Sequence, residues 1–348
     1  MSSTKIIVAT VVKDEAWMLE RFLATCSQFA DQIIVSDEST GLDNSLEIYK
    51  KYPKVIVHHN SGVPVRWDIR RRFVFEEARK IACDKRFIIA IDSDEIISAN
   101  IFESPEWETV LNAEPGTLIH LQWVTLWKNY EHYRADSPYL YGNYNRQIWV
   151  DDGTSEIPVV GYQEMHAAYN PLNAKKHIYL NDIVCLHYQC CNWKRMESKH
   201  RYYRAHEKSN IRKLSDLAIY RIYGHMMSQN IECRNSPAKW FDGWTKIGID
   251  MTSHGDMKLT HFDLSVMEMM HKYGSDLFAL QDIWRVDWSN LVNHAKVAGR
   301  LPENFVLIQP RRRFLGRLFH IYMRITIDSK FIRYIERKLF GKDFSYES

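Results

Sequence analysis

Asp92 and Asp94 stand one residue apart, with Glu95 beside them, directly after the apolar run RFIIAI at positions 86–91. Two carboxylates so spaced at the end of a buried strand can turn toward one cation. Hard divalent ions, Mg2+ or Mn2+, take oxygen ligands and bridge to phosphates. Such an ion neutralises the charge that develops on a departing diphosphate. The competing reading is a solvated turn that caps the next helix, because acidic triplets are common on surfaces. Asp37 closes another apolar run, IIVSD, in the same way. A carboxylate there can accept from the imide N–H of uracil or thymine, or from a ribose hydroxyl. Thr10, at the end of a first run, is placed to shape a base pocket. Capping and turn roles are the alternatives for both. Arg66, Arg70, Arg71 and Arg72 crowd one helix start. Guanidinium forks match phosphate geometry, although solvated helix charges must account for some of the four.

The elements that must position these groups are legible in the first hundred residues. Residues 5–12 (KIIVATVV) suit a strand buried on both faces. Residues 15–27 have helical spacing, with Met18, Leu19, Phe22, Leu23 and Cys26 along one stripe. Strands over 32–36, 55–58 and 86–91 alternate with helices over 42–51 and 69–82. Such repeated units predict an α/β fold, a mostly parallel sheet with right-handed crossovers. In open sheets of that kind ligands bind beyond the carboxyl ends of the strands, where Thr10, Asp37, Asp92 and Asp94 all fall. Beyond residue 100, strands are expected over 117–127, 145–150 and 178–187, with a mixed stretch over 156–169. A mainly helical region follows, 192–298, broken near Pro237 and Gly255.

With 348 residues, 45% hydrophobic and 26% charged, the chain can bury a full core and is not disordered as a whole. Aromatic content is high at 13%, and such rings fill cores or stack on sugars and bases. The net charge of +3 is unevenly spread: residues 311–342 carry 10 Lys/Arg against 2 Asp/Glu, which leaves −5 for the remainder. An acidic body with a basic tail points to an anionic surface as the tail's partner and away from nucleic acid. The six cysteines show no CxxC spacing, and no run reaches the ~18 apolar residues of a membrane span. Reduced thiols in a cytoplasmic protein are the expectation.

Taken in order, the stretches VVKDEAWMLERFL, FADQIIVSDESTGLD, KKYPKV, RRRFVFEEARK and FIIAIDSDEII resemble the family 2 glycosyltransferases of GT-A fold. The branch resembled is the bacterial one that decorates surface polysaccharides and lipopolysaccharide cores, and the likeness covers residues 5–97. It implies that Thr10 and Asp37 hold the nucleobase and that Arg71 approaches the diphosphate. Asp92 would meet the ribose or the metal, and Asp94 the metal. The family's later His-Glu pair corresponds to GYQEMH, with Gln163 in place of the histidine and Glu164 retained. Glu164 is thereby the implied general base, with Asp151 and Asp152 as rivals. IVCLHY supplies His187 as an implied third metal ligand, and SKHRYY supplies Lys199, implied to reach the phosphates. For His187 a core or hydrogen-bonded role is the alternative, and for Lys199 a solvated helix face.

The resemblance implies an inverting transfer from a nucleotide-sugar, a UDP-sugar first and a dTDP-sugar second, to a saccharide or lipid-linked acceptor. The aromatic residues from Trp123 to Tyr144 are expected on the acceptor side, with core packing the stronger reading for Trp123 and Trp127. Two rivals stand beside this expectation. A sugar-phosphate nucleotidyltransferase would carry a Gly-rich basic loop after the first strand, which VVKDEAW is not. A non-catalytic saccharide-binding or scaffold protein is disfavoured by intact Asp37, Asp92 and Asp94.

The expected domains are a GT-A domain over 1–230, a helical extension over 231–310 and a basic amphipathic tail over 311–348. In the tail, Phe314, Leu315, Leu318, Phe319, Tyr322 and Ile325 share one helix face, and Phe331, Ile332, Ile335 and Leu339 repeat the pattern. Such helices suit an anionic membrane interface. Docking on the chain's own domain, or on a second subunit in an oligomer, would show the same period.

Overall fold

A computed structural model describes residues 3–60, 67–136, 143–157, 171, 173–210, 214–255, 257–311 and 313–340. The β-branched runs form the parallel strands β1 (Thr4–Val12), β2 (Gln32–Asp37), β3 (Val55–His59) and β4 (Lys85–Ala90), in the spatial order β3-β2-β1-β4. Between them run α1 (Ala16–Phe29), α2 (Ser45–Tyr49) and α3 (Trp67–Arg79). The α1 stripe is fully buried, with Met18, Leu19, Phe22, Leu23 and Cys26 at 0–1% exposure. On one face of the sheet, Val74, Phe75 and Ala78 of α3 pack with Ile7, Ala9, Val11, Ile34 and Ile88. Side chains alternate along a strand, so Thr10 and Asp37 belong to the opposite face. The α/β class with a parallel nucleus is as expected.

The helix expected over 42–51 is only five residues long. Asp43 explains the shortening: its carboxylate accepts from Ser45 N and from Ala16 N, which holds 43–45 as a turn locked to α1.

The sheet then continues with other directions. After β5 (Glu95–Ile97) and α4 (Pro105–Leu111) come β6 (Thr117–Trp127), β7 (His132–Arg134), β8 (Asn143–Val150) and β9 (Lys176–Cys190). β8 pairs antiparallel with both β4 and β6, β9 lies parallel to β6, and β5 pairs antiparallel with β9. The three-residue strands are too short to show a period, and the sequence reading missed them.

Helices α5 (Trp193–Ser209) and α6 (Asp216–Tyr223) belong to a second unit, Trp193–Ile231 with Met257–Ser348. The first unit, Met1–Asn192, regains the chain at Glu232–Asp256, which holds β10 (Cys233–Asn235) and α7 (Asp242–Lys246). This return spans the breaks expected near Pro237 and Gly255 in the helical run from 192 to 298. Arg21 explains it in part, donating from Nε to Asp250 O and from Nη2 to Ser253 O, both at 2.6 Å. Trp244 adds a bond from its indole N–H to Ile97 O at 3.0 Å.

The second unit also holds α8 (His261–Tyr273), α9 (Trp288–Val297), α10 (Arg313–Thr326) and α11 (Lys330–Phe340). Thr260 and Asp263 form a capping box at the start of α8. Its core gathers Val266, Met267, Phe278, Trp284, Trp288 and Leu291. Among the described residues no helix is long and apolar enough to cross a membrane.

Candidate functional site at the carboxyl edge of the sheet

Strand β4 ends at Ala90, in register with Ala9, and Ile91 N still donates to Ala9 O at 3.4 Å. The chain then turns through Asp92-Ser93-Asp94, closed by Glu95 N donating to Asp92 O at 2.9 Å. Strand β5 starts at once and puts Glu95 opposite His187 of β9, while Tyr188 N donates to Asp94 O at 2.8 Å. The acidic triplet is thus a built corner between two strands, which the capping-turn reading does not describe.

The corner turns its carboxylates in different directions. The Asp92 side chain is 35% exposed and stands 3.4 Å from Arg71 Nη2 of α3. Asp94 is buried, with its Oδ1 3.7 Å from His187 Nε2. That separation is too long for a hydrogen bond. It matches two ligands ~2.1 Å from one cation, which lie roughly 3–3.7 Å apart for angles of about 90–120°. A carboxylate oxygen with an imidazole nitrogen is a donor set that Mn2+ accepts, and Mg2+ requires only one or two carboxylates beside phosphates and water. Asp94 and His187 fit such an ion. Asp92 faces Arg71, and among the described residues no group of three such donors is arranged around one point.

Behind this pair stands a buried prop. Glu95 accepts from Trp123 Nε1 of β6 at 2.6 Å and from Asp92 N at 3.0 Å. The Trp123 ring stacks on His187 at 4.3 Å between centroids and 27° between planes. Burial first, then the Asp92 charge, pushes the Glu95 carboxyl up to about 8, which favours its neutral form. Trp123 therefore belongs to the site and not only to the core. The residue type alone carried no such signal, because the stacking depends on the register of β6 with β9.

Asp37 lies at the end of β2, level with Val12 of β1, and Thr10 is level with Val35. The Asp37 carboxylate accepts from Ser39 Oγ at 2.7 Å and Tyr49 OH at 2.9 Å, and lies 3.2 Å from His59 Nδ1. Burial and then the Asp37 charge raise the Tyr49 phenol far above its usual range, so it stays a donor. Asp37 is 1% exposed and Thr10 0%. Thr10 Oγ1 has no hydrogen-bond partner among the described residues. The loop after β1 is tied to the loop after β2: Asp14 N donates to Ser39 Oγ and Glu15 N to Ser45 Oγ, and Asp14 accepts from Thr40 N. Asp14 meets these partners with a φ of 50°.

The remaining expectations divide. Arg70 pairs with Glu38 in a buried ion pair, so of the arginines in view Arg71 is the one at the corner. Asp151 binds Arg79 at 2.7 Å and Arg86 at 2.8 Å. Against burial, the Arg79 bond and the Gly153 amide hold its carboxyl below the usual range. Asp152 is likewise lowered, to about 2: burial opposes, and the Ser155 and Thr154 amides prevail. Both rivals for the base are weak bases. Glu164 and Gln163 lie outside the described residues, as do Arg66, Tyr139 and Tyr141. Lys199 lies on α5 in the second unit, its Nζ 5.9 Å from the Tyr203 ring centroid.

No protein-family model matches the chain, and no curated protein matches it. Among solved structures it is similar to one titled "Crystal structure of 4-diphosphocytidyl-2C-methyl-D-erythritol synthase", with 15% identity and a TM-score of 0.26. That similarity covers 43% of this chain and 73% of the other. A likeness of this degree has no bearing on activity.

Proposed function

We propose that the chain is an inverting glycosyltransferase that takes its sugar from a nucleotide-sugar, a UDP-sugar first and a dTDP-sugar second. The observation that carries this reading is the corner itself, where Asp92, Asp94, His187 and Arg71 meet at the carboxyl end of β4. Donor chemistry accounts for each group. Asp37 and Thr10 border the base site, and Asp92 lies within reach of a ribose hydroxyl. Arg71 offers its guanidinium to the diphosphate. When bound by Asp94 and His187, a divalent cation, Mn2+ or Mg2+, supplies positive charge to the leaving diphosphate. Glu164 takes the proton of the acceptor hydroxyl as its oxygen bonds to the anomeric carbon, opposite the breaking bond to the diphosphate. The low basicity of Asp151 and Asp152 supports this choice of base. The acceptor class is a saccharide or lipid-linked saccharide, in surface-glycan synthesis.

A nucleotidyltransferase needs free backbone amides after β1 to cradle a triphosphate. Here the amides of Asp14, Glu15 and Ala16 donate to Ser39, Ser45 and Asp43. This observation favours the transferase of sugars over that rival.

The test is a thermal-shift screen of nucleotide-sugars with and without Mn2+, because a ligand that binds only the native state raises Tm by mass action. One UDP- or dTDP-sugar is expected to stabilise the chain with Mn2+ and to lose that gain in Asp94→Asn. Stabilisation by a nucleoside triphosphate alone, with pyrophosphate released from that triphosphate when a sugar phosphate is added, would establish the rival. No response to any nucleotide-sugar would sink the proposal.

A further inference from the structure

Among the described residues, the two C-terminal helices are docked on one side and exposed on the other. Glu336 of α11 accepts from Arg221 of α6 through both oxygens, at 2.6 and 2.7 Å, and from Tyr322 OH of α10 at 2.9 Å. His320 meets Tyr220 OH at 3.0 Å. Asp328, between the helices, accepts from Ser228 Oγ at 2.6 Å and from Gln229 N at 2.9 Å. Gly316 has its place for a steric reason: a Cβ there would collide with the carbonyl oxygen of Ala279. Met323, Thr326 and Ile327 are buried in consequence.

The opposite side is apolar and exposed. On α10 the side chains of Phe314, Leu318, Ile321 and Ile325 are 68, 49, 53 and 77% exposed. With Leu315 and Tyr322 they fall within about 120° of the helix circumference at ~100° per residue. Arg317 and Arg324 border this stripe on the flank next to Ile321. On α11, Phe331, Ile335 and Leu339 repeat the stripe at a spacing of four, and Lys330, Arg333, Arg337 and Lys338 are all exposed.

The charges decide what covers such a face. Residues 313–340 hold seven Lys/Arg and two Asp/Glu, a net +5. Both acidic groups, Asp328 and Glu336, are spent on internal bonds, so the charged groups that flank the exposed apolar stripes are basic. Two copies stacked face to face would bring like charges together around the apolar stripes. An anionic lipid surface accepts both features, the apolar stripe at the acyl boundary and the basic flank among the headgroups.

We propose that α10 and α11 form a preformed monotopic docking surface that lies in the plane of an anionic membrane interface. The full chain is tested by co-sedimentation with vesicles of phosphatidylcholine alone and of phosphatidylcholine mixed with phosphatidylglycerol. It is expected on the anionic vesicles, released in part by salt, and absent from the neutral ones. Ile325→Glu combined with Phe331→Glu removes two exposed apolar groups and should lower partitioning by more than about a hundredfold. Arg317→Gln combined with Arg324→Gln should lower it roughly thirtyfold on anionic vesicles. All four positions are exposed, and an unchanged Tm in each variant checks that the fold is kept. Equal retention on both vesicle types, or on neither, would overturn the proposal. So would a wild-type dimer that the Ile325→Glu, Phe331→Glu pair makes monomeric while vesicles retain no protein.

Discussion

Glu95 and His187 stand opposite one another in the antiparallel pairing of β5 with β9. That pairing brings a histidine ninety-three positions downstream of Asp94 to within 3.7 Å of its carboxylate. The same register sets His187 under the Trp123 ring, whose indole N–H is anchored by Glu95. Burial and the Asp92 charge raise the Glu95 carboxyl above its ordinary value, which disfavours a third negative charge in the corner.

Asp94 and His187 are expected to act as one unit toward a divalent ion. Asp94→Asn and His187→Ala should each abolish the Mn2+-dependent part of the thermal shift, and the double variant should lose no more than either single one. Groups that share a ligand are non-additive, whereas independent residues add within about 0.5 kcal/mol. Additive losses in a Mn2+ titration would show that the two do not share an ion.

Trp123→Phe keeps an aromatic ring over His187 and deletes the N–H bonded to Glu95. A buried acceptor left without its donor costs about 1–3 kcal/mol, so urea unfolding should shift by that amount. Affinity for the donor in the presence of Mn2+ should fall as His187 loses its fixed plane. Loss of stability with unchanged donor affinity would leave Trp123 a purely structural residue.

Glu164→Gln should lower kcat by about a hundredfold or more and leave donor binding intact, since a base acts on the acceptor and not on the nucleotide. Donor binding is read by the thermal shift and kcat by release of the nucleoside diphosphate. A variant with wild-type kcat would remove Glu164 from the mechanism.

Asp151 joins α3 to β4 through Arg79 and Arg86. Removing its charge in Asp151→Asn leaves two mostly buried guanidiniums short of a partner and should cost about 3 kcal/mol. The folded-state value is depressed, so the contribution is present above the unfolded value near 3.8 and is lost as pH falls below it. Acid unfolding of the variant should therefore be shallower below 3.8 than that of the wild type, as followed by circular dichroism.

Glu38 has the opposite sign. Burial raises its carboxyl from 4.5 to about 7, against the pull of Arg70 and Lys13. A raised value makes the contribution fully present below 4.5 and lost as pH rises to about 7. Urea midpoints across that window should decline with pH in the wild type, and Glu38→Gln should flatten the decline. An unchanged slope would place the titration elsewhere.

The sequence by itself determined the parallel nucleus, because β-branched runs and a 3.6-residue apolar stripe are local patterns. Lys5 to Ile91 could be read in order as strands and helices, and Asp37 and Asp92 fell at strand ends for the same reason. The tail helices were legible too, since Leu318 and Ile325 reveal a face through spacing alone. What covers a face is not local. Only the tertiary structure decided that Gly316, Met323 and Glu336 dock while Ile325 and Phe331 remain exposed. It likewise decided that 232–256 rejoins the sheet unit, through bonds from Arg21 and Trp244 that join residues far apart in the chain. The site divides along the same line. Asp94 was visible as a carboxylate after a strand, while its pairing with His187, and Trp123 behind it, depends on register between β5, β9 and β6. A slip of one residue would turn each of those side chains to the other face, and nothing in the local sequence of any one strand sets that alignment.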